Sequence, residues 1–318
     1  MSDTLPDLPL MAWEPTKDTL HLYTQIVGKI QLASAPPRNH WWHATLRVNE
    51  SGYGTGRMVH DGVSFGIAFD LVRHRLVVRT PGREEAIPLR DGLSVAEFHD
   101  SLFALLRELG VHVKIKAKPF GVPMTTPFAD DTEHAAYDRE RVEDYRDALL
   151  RVDEVFREFR GWFTGKSSPV QLFWHSFDLA MARFSGRAAP PMPEADPVTR
   201  EAYSRELISF GWWPGDRAVA APMFYAYAHP EPDGLTAQPL APDGAAHWEQ
   251  TGTTHQARLP WDQVRAAADP RGTVLDFLQS AYAAGAITAR WPYGDLPSNW
   301  CPPRGLVEPS QAAGTSTP

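Results

Sequence analysis

A single cysteine among 318 residues, Cys301 in "NWCPPRG", excludes a disulfide framework or a cysteine zinc site built within one chain. No dense run of Lys or Arg occurs, and the formal net charge is −8 with a pI near 5.8. An acidic surface repels phosphates, so neither nucleic acid nor an anionic membrane is expected as a partner. No apolar run approaches the ~20 residues that span a bilayer. The opening "MSDTLPDLPL" lacks a basic region followed by an apolar stretch, so no secretory signal is visible and a cytoplasmic location is expected. Several catalytic signatures are missing as well. "TGKSS" at 164–168 resembles the end of a phosphate loop, but Arg160 stands where that loop requires glycine. "GYGTG" at 52–56 lies between two strand patterns and reads as a turn rather than a dinucleotide cradle. Neither G-x-S-x-G nor H-E-x-x-H is present.

What is present is globular: 43% hydrophobic and 22% charged residues, in a length suited to about two domains. After a lead-in at 1–15, residues 16–33 read as a helix with Leu22, Ile26, Ile30 and Ala33 on one face. Its polar stripe, His21, Gln25 and Lys29, reads more readily as a solvated face than as a site. The period then shifts to two in "HWWHATLRV", "VSFGIAFDLV" and "RLVVRT", with "EEAIPL" as an edge strand. Ser94 and Glu97 have capping-box spacing ahead of a helix with Phe98, Leu102, Leu105 and Leu109 inward. "VHVKIKA" reads as one more strand. Residues 137–163 carry the clearest stripe, Val142, Tyr145, Leu149, Val152, Phe156, Phe159 and Phe163, at alternating spacings of three and four. Further on, "DPVTREAYSRELISFG" reads as a helix capped by Asp196, "APMFYAYAHPEP" as a strand, and the segment after Asp269-Pro270 as a helix. The expected fold is α+β, two lobes with largely antiparallel sheets joined by one long helix. Its expected divisions are 16–130, a connecting helix at 131–164, a second lobe at 165–291 and a Pro-rich tail at 292–318.

The most conspicuous short string is "NHWWH". Read as a strand, Trp42 falls with Ala44, Leu46 and Val48 in the core, while Trp41 and His43 share the opposite, polar face. His40 and His43 converge on one ion only if His40 lies in a loop. The acidic string "DDTEHAAYD" at 130–138 fits a helix start, where carboxylates complement the helix dipole. In "FWHSFDL", a strand places Trp174, Ser176 and Asp178 on one face and His175 on the other.

Taken together, "LHLYTQIVGKIQL", "NHWWH", "HAAYD", "GKSSPVQLFWHSFDLAMARFSGR", "DPVTREAYSRE" and "FYAYAHPEP" resemble the bacterial domain of unknown function 5996 family, over nearly the whole chain. The resemblance implies a bacterial, cytosolic protein and carries no activity. It places glycine in many relatives where this chain has His175, which weakens His175 as an obligatory group. The matching segments mix aromatic walls with cations and acid–base groups, as small-molecule sites do. An enzyme acting on a small aromatic or carboxylate-bearing molecule is therefore expected. His43, Asp178 and Lys29 are its candidate catalytic residues. Trp41, Trp174, His175, Arg183, Arg200, Tyr225 and Tyr227 are its candidate binding residues, with Arg183 holding a carboxylate. The alternatives are a non-catalytic metabolite or sugar module, in which the rings only stack, and a His-ligated metalloenzyme. Cofactor and oligomeric state are not legible.

Overall fold

The computed structural model describes residues 5–217 and 219–291. The tail at 292–318, with Cys301, lies outside them. The chain folds as α+β, with six helices and two antiparallel sheets among the described residues.

Helix α1 (Leu10–Ser34) starts within the expected lead-in and carries Pro15. Strands β1 (Arg47–Asn49), β2 (Gly52–Gly54), β4 (Val63–Asp70), β5 (Arg75–Thr80) and β6 (Arg83–Pro88) form the first sheet in that order, and β3 (Met58–His60) pairs with β4. Helix α2 (Val95–Glu108) opens on the expected capping box, with Ser94 and Glu97 each accepting the other's backbone N–H. Helix α3 (Arg139–Gly161) starts at Asp138, whose carboxylate accepts from the backbone of Glu140 and Arg141. Its stripe from Val142 to Phe159 is buried as the spacing requires.

The second sheet runs β11-β12-β10-β9-β8-β7, from β7 (Gln171–Phe173), β8 (Asp178–Ala188), β9 (Arg205–Trp213), β10 (Met223–His229), β11 (His247–Thr251) and β12 (Thr254–Pro260). Short helices α4 (Pro197–Ala202) and α5 (Trp261–Ala266) and the long α6 (Pro270–Thr288) complete the described elements. The sheets meet where Leu46 and Leu172 exchange backbone hydrogen bonds of 2.9 and 3.0 Å. One hydrophobic cluster runs through both, from Trp13 and Tyr53 to Trp212 and Tyr282. Helix α3 touches β1 and β2 on one side and β8 and α6 on the other.

Several local expectations fail, and "GYGTG", read as a turn, supplies strand β2 at Gly52–Gly54 instead. "HWWH" is not a strand: Asn39–Trp41 form a 3-10 turn with His40 and Trp41 at φ 55° and 57°. The alternation that would bury Trp42 begins only near Leu46, and Trp42 is half-buried. "VHVKIKA" forms no strand and joins no sheet. The helix expected across 196–211 stops at Ala202, and β9 follows. Leu207, Ile208, Phe210 and Trp212 are all buried there, so sheet packing overrides local helix propensity.

Candidate functional site

The polar stripe of α1 is not solvated. His21, Gln25 and Lys29 are all buried, because two loops close over them. His21 Nε2 donates to the Trp174 carbonyl at 3.0 Å. The Gln25 amide donates to the Phe120 carbonyl at 2.9 Å and accepts the Phe120 N–H at 2.8 Å. Trp174 lies on α1 at Gly28, where any Cβ would fall inside the indole. The neighbouring Lys29 ammonium stands 5.2 Å from the Trp174 ring centroid and 6.0 Å from that of Phe120. Burial, reinforced by Lys116, lowers its pKa. Phe177 stacks on His21 at 4.9 Å. The tip of the β7–β8 hairpin is thus fixed to α1 through Trp174 and Phe177. It delivers Asp178, in register with Phe173, onto one face of the second sheet.

Cross-strand register defines that face. Gln171 pairs with Ala180, Ala180 with Gly211, and Gly211 with Tyr225. The next row is Ala182, Ser209 and Tyr227. Small residues occupy the central strands and large ones the flanks. A Cβ at Gly211 would collide with the Tyr225 ring. That missing Cβ lets Tyr225 lie flat across β9 and reach β8, where its hydroxyl donates to Asp178 Oδ2 at 2.5 Å. The Ser176 hydroxyl donates to Asp178 Oδ1. Asp178 is 8% exposed, and among the described residues no cation pairs with it.

The Tyr203 and Tyr227 hydroxyls meet at 2.7 Å beside it. Burial raises the pKa of Tyr225 and Tyr227 well above 10, and the Asp178 charge adds to this at Tyr225. Both are therefore neutral hydroxyls at physiological pH. Burial lowers the His175 pKa, opposed by Asp178. On the β7 side, Arg47 reaches Gln171 Oε1 at 3.3 Å and the Trp42 carbonyl at 3.3 Å. Burial lowers its pKa to about 10. The face can therefore offer one buried base, several hydroxyl donors and one guanidinium.

The expected residues divide accordingly. Asp178, Tyr225 and Tyr227 come together, with Trp174 and His175 at the hairpin tip. Lys29 stands against the Trp174 ring at that tip. His43 does not line this face. It is buried, its Nδ1 accepts the Arg38 N–H at 3.1 Å, and its ring packs on Trp41 at 5.1 Å. Arg183 points to the opposite side of β8, 0% exposed among aromatic rings, so it cannot meet a ligand carboxylate on the Asp178 face. Arg200 is exposed on α4 and reaches the Pro193 carbonyl at 3.5 Å. Arg47, Gln171, Ser209 and Tyr203 were not anticipated. Serine and glycine alternating in "SFGWW" beside "FYAYAH" is the pattern that could have revealed the face.

His40 and His43 serve different partners: His40 Nδ1 donates to the Ala202 carbonyl at 3.0 Å, and its Nε2 accepts from Lys166 at 2.8 Å. Among the described residues, no group of three or more His, Cys, Asp or Glu converges as metal ligands. No helix among them is long and apolar enough to cross a membrane.

A family model matches residues 5–298, and its description reads "Family of unknown function (DUF5996)". No curated protein matches, and no solved structure matches.

Proposed function

The chain belongs to the DUF5996 family, which assigns no activity, and we propose from the geometry that it is an enzyme acting on a small polar organic molecule at the Asp178–Tyr225 face. One observation carries this reading. A carboxylate 8% exposed is held by two hydroxyls, with no cation among the described residues to offset its charge. Burying a charge in that way costs stability. Violations of polar pairing of this kind are tolerated chiefly at functional sites. In this reading Asp178 is the general base. Tyr225 relays the proton, since its hydroxyl contacts the carboxylate and its raised pKa keeps it protonated. Arg47 meets an anionic group of the substrate in the role expected of Arg183. A cytoplasmic, bacterial setting belongs to the same proposal, as does the expectation that neither nucleic acid nor an anionic membrane is a partner, which the net charge of −8 supports.

The test is a thermal-shift screen of small metabolites, followed by product analysis. A ligand that binds the native state raises the melting temperature by mass action. The expected hit is converted by the wild type and not by Asp178→Asn. A hit bound without chemical change would favour a binding module. Ligands bound and converted equally well by Asp178→Asn would place the site elsewhere.

A further inference from the structure

A second cluster stands at the far end of the same sheet face. Phe184 lies six residues along β8 from Asp178, about 20 Å away at ~3.3 Å per residue. His40 packs on Phe184 at 4.6 Å and on Trp42 at 5.3 Å. Its position is over-determined. The backbone N–H donates to Glu201 Oε1 at 2.7 Å, and Nδ1 donates to the Ala202 carbonyl at 3.0 Å. These contacts hold His40 and Trp41 in the left-handed region, at φ 55° and 57°. A non-glycine residue pays about 1–3 kcal/mol for such a conformation, and such residues cluster at functional sites.

The Nδ1 donation fixes the tautomer. The Nε2 lone pair is free to accept, and it accepts the Lys166 ammonium at 2.8 Å. Lys166 is exposed to solvent, and its ammonium lies 5.5 Å from the Trp42 centroid and 5.1 Å from that of Phe184. Nucleophile, base and an orienting group on the base are thus in line, which is the arrangement that activates a side-chain nucleophile.

We propose that Lys166 and His40 form an amine-nucleophile site that takes aldehydes and ketones, separate from the Asp178 cluster on that face and independent of its function. His40, kept neutral by burial, takes a proton from the Lys166 ammonium only for the duration of the attack. The freed amine adds to the carbonyl carbon, and the proton returns to the carbonyl oxygen. The carbinolamine loses water to leave a protonated imine. In balance, ammonium plus aldehyde gives iminium plus one water. Trp42 and Phe184 offer flat walls to the carbonyl compound and, afterwards, to the iminium charge. The charged groups facing Lys166 are Arg205, which disfavours its proton, and Glu201, which favours it. Burial acts first, and its pKa is lowered on balance.

The experiment uses pyridoxal as the carbonyl probe on the full chain at pH 7, with borohydride trapping and mass mapping of labelled lysines. The chain has six, and Lys114, Lys116 and Lys118 are exposed internal controls. Lys166 should label about 100-fold faster than these three, the lower end of what a positioned base contributes. Lys166→Arg should abolish the fast label, and folded His40→Gln should reduce Lys166 to the rate of the controls. If His40→Gln does not fold, the wild-type ratio decides. Labelling of Lys166 no faster than the three controls, or an unchanged rate in folded His40→Gln, overturns the proposal.

Discussion

Asp178 and Arg183 stand five residues apart on β8, and the strand turns them to opposite sides. Asp178 faces hydroxyls over a floor of Ala180, Ser209 and Gly211. Arg183 faces the core, its guanidinium 3.6 Å from the Phe159 ring centroid, 4.4 Å from Tyr282 and 5.0 Å from Phe163. Its Nη2 donates at 2.5 Å to the carbonyl of Phe159, in the last turn of α3, where helix dipoles sum to partial negative charge. One charge is thus built into the packing between α3 and β8, and the other is held by groups that can rearrange. The first should matter to stability and the second to whatever binds.

The largest expected effect breaks the comparison on the Arg183 side. Arg183→Ala empties a fully enclosed aromatic cage and removes a cap from α3. The loss should be about 3–5 kcal/mol, the range for emptying a large core site. The midpoint of urea unfolding measures it, and Arg183→Met, which keeps much of the volume, should recover part of it. A midpoint unchanged in Arg183→Ala would mean that β8 has the wrong parity.

Next is Gly211, on the Asp178 side. Gly211→Ala puts a methyl group into the Tyr225 ring and should cost about 1–3 kcal/mol by overpacking. A double-mutant cycle isolates the cause. With Tyr225→Ala already present the methyl has room, so the second substitution should cost much less. Equal costs in both backgrounds would mean that the ring does not lie across β9.

What could be read from the sequence was what depends on short-range periodicity. The α3 stripe, the Ser94–Glu97 capping box and the Asp269-capped α6 follow from spacing alone, and the structure forms all three. The α+β class follows from the same patterns. Features set by partners distant in sequence were not legible. His40 and Trp41 take a left-handed turn because Glu201 and Ala202, some 160 residues on, hold it there. The stripe of His21, Gln25 and Lys29 looks solvated until the hairpin tip and Phe120 close over it. Asp178 and Tyr225 were both singled out, but the contact between them depends on a glycine in the strand that separates them. The composition that groups Arg183 with Asp178 carries no facing, and a spacing of five residues along one strand puts the two on opposite sides.

A third prediction concerns pH. Burial, with Lys17 adding to it, lowers the His21 pKa to about 3. Its unfolded value is near 6.5. Below pH 6.5 the unfolded chain takes up a proton that the folded chain refuses. The stability present above pH 6.5 is therefore lost as the pH falls toward 3, by up to about 1.4 kcal/mol per pH unit from this one group. The His40 shift, also from burial, acts in the same direction. His21→Gln keeps a donor for the Trp174 carbonyl and should flatten the fall between pH 6 and 4 in denaturant titrations. An equally steep fall in that variant would assign the acid sensitivity to other groups.

The smallest effect on stability should come from Asp178→Asn, and it is the most informative about the proposed site. The substitution preserves shape. The Ser176 and Tyr225 hydroxyls currently both donate to the carboxylate, and one of them can rotate to accept from the new amide. The buried charge disappears, which removes a cost and offsets the weaker hydrogen bonds that remain. The melting temperature should therefore stay close to that of the wild type or rise, with a net change below about 1 kcal/mol. Ligand conversion should nonetheless be lost, because an amide cannot take the proton. That pairing of intact stability with lost chemistry separates the two sides of β8, since Arg183→Ala should show the reverse pattern in its folded fraction. If Asp178→Asn instead unfolds the chain as Arg183→Ala does, Asp178 is part of the packing, and the base proposed for this face does not exist.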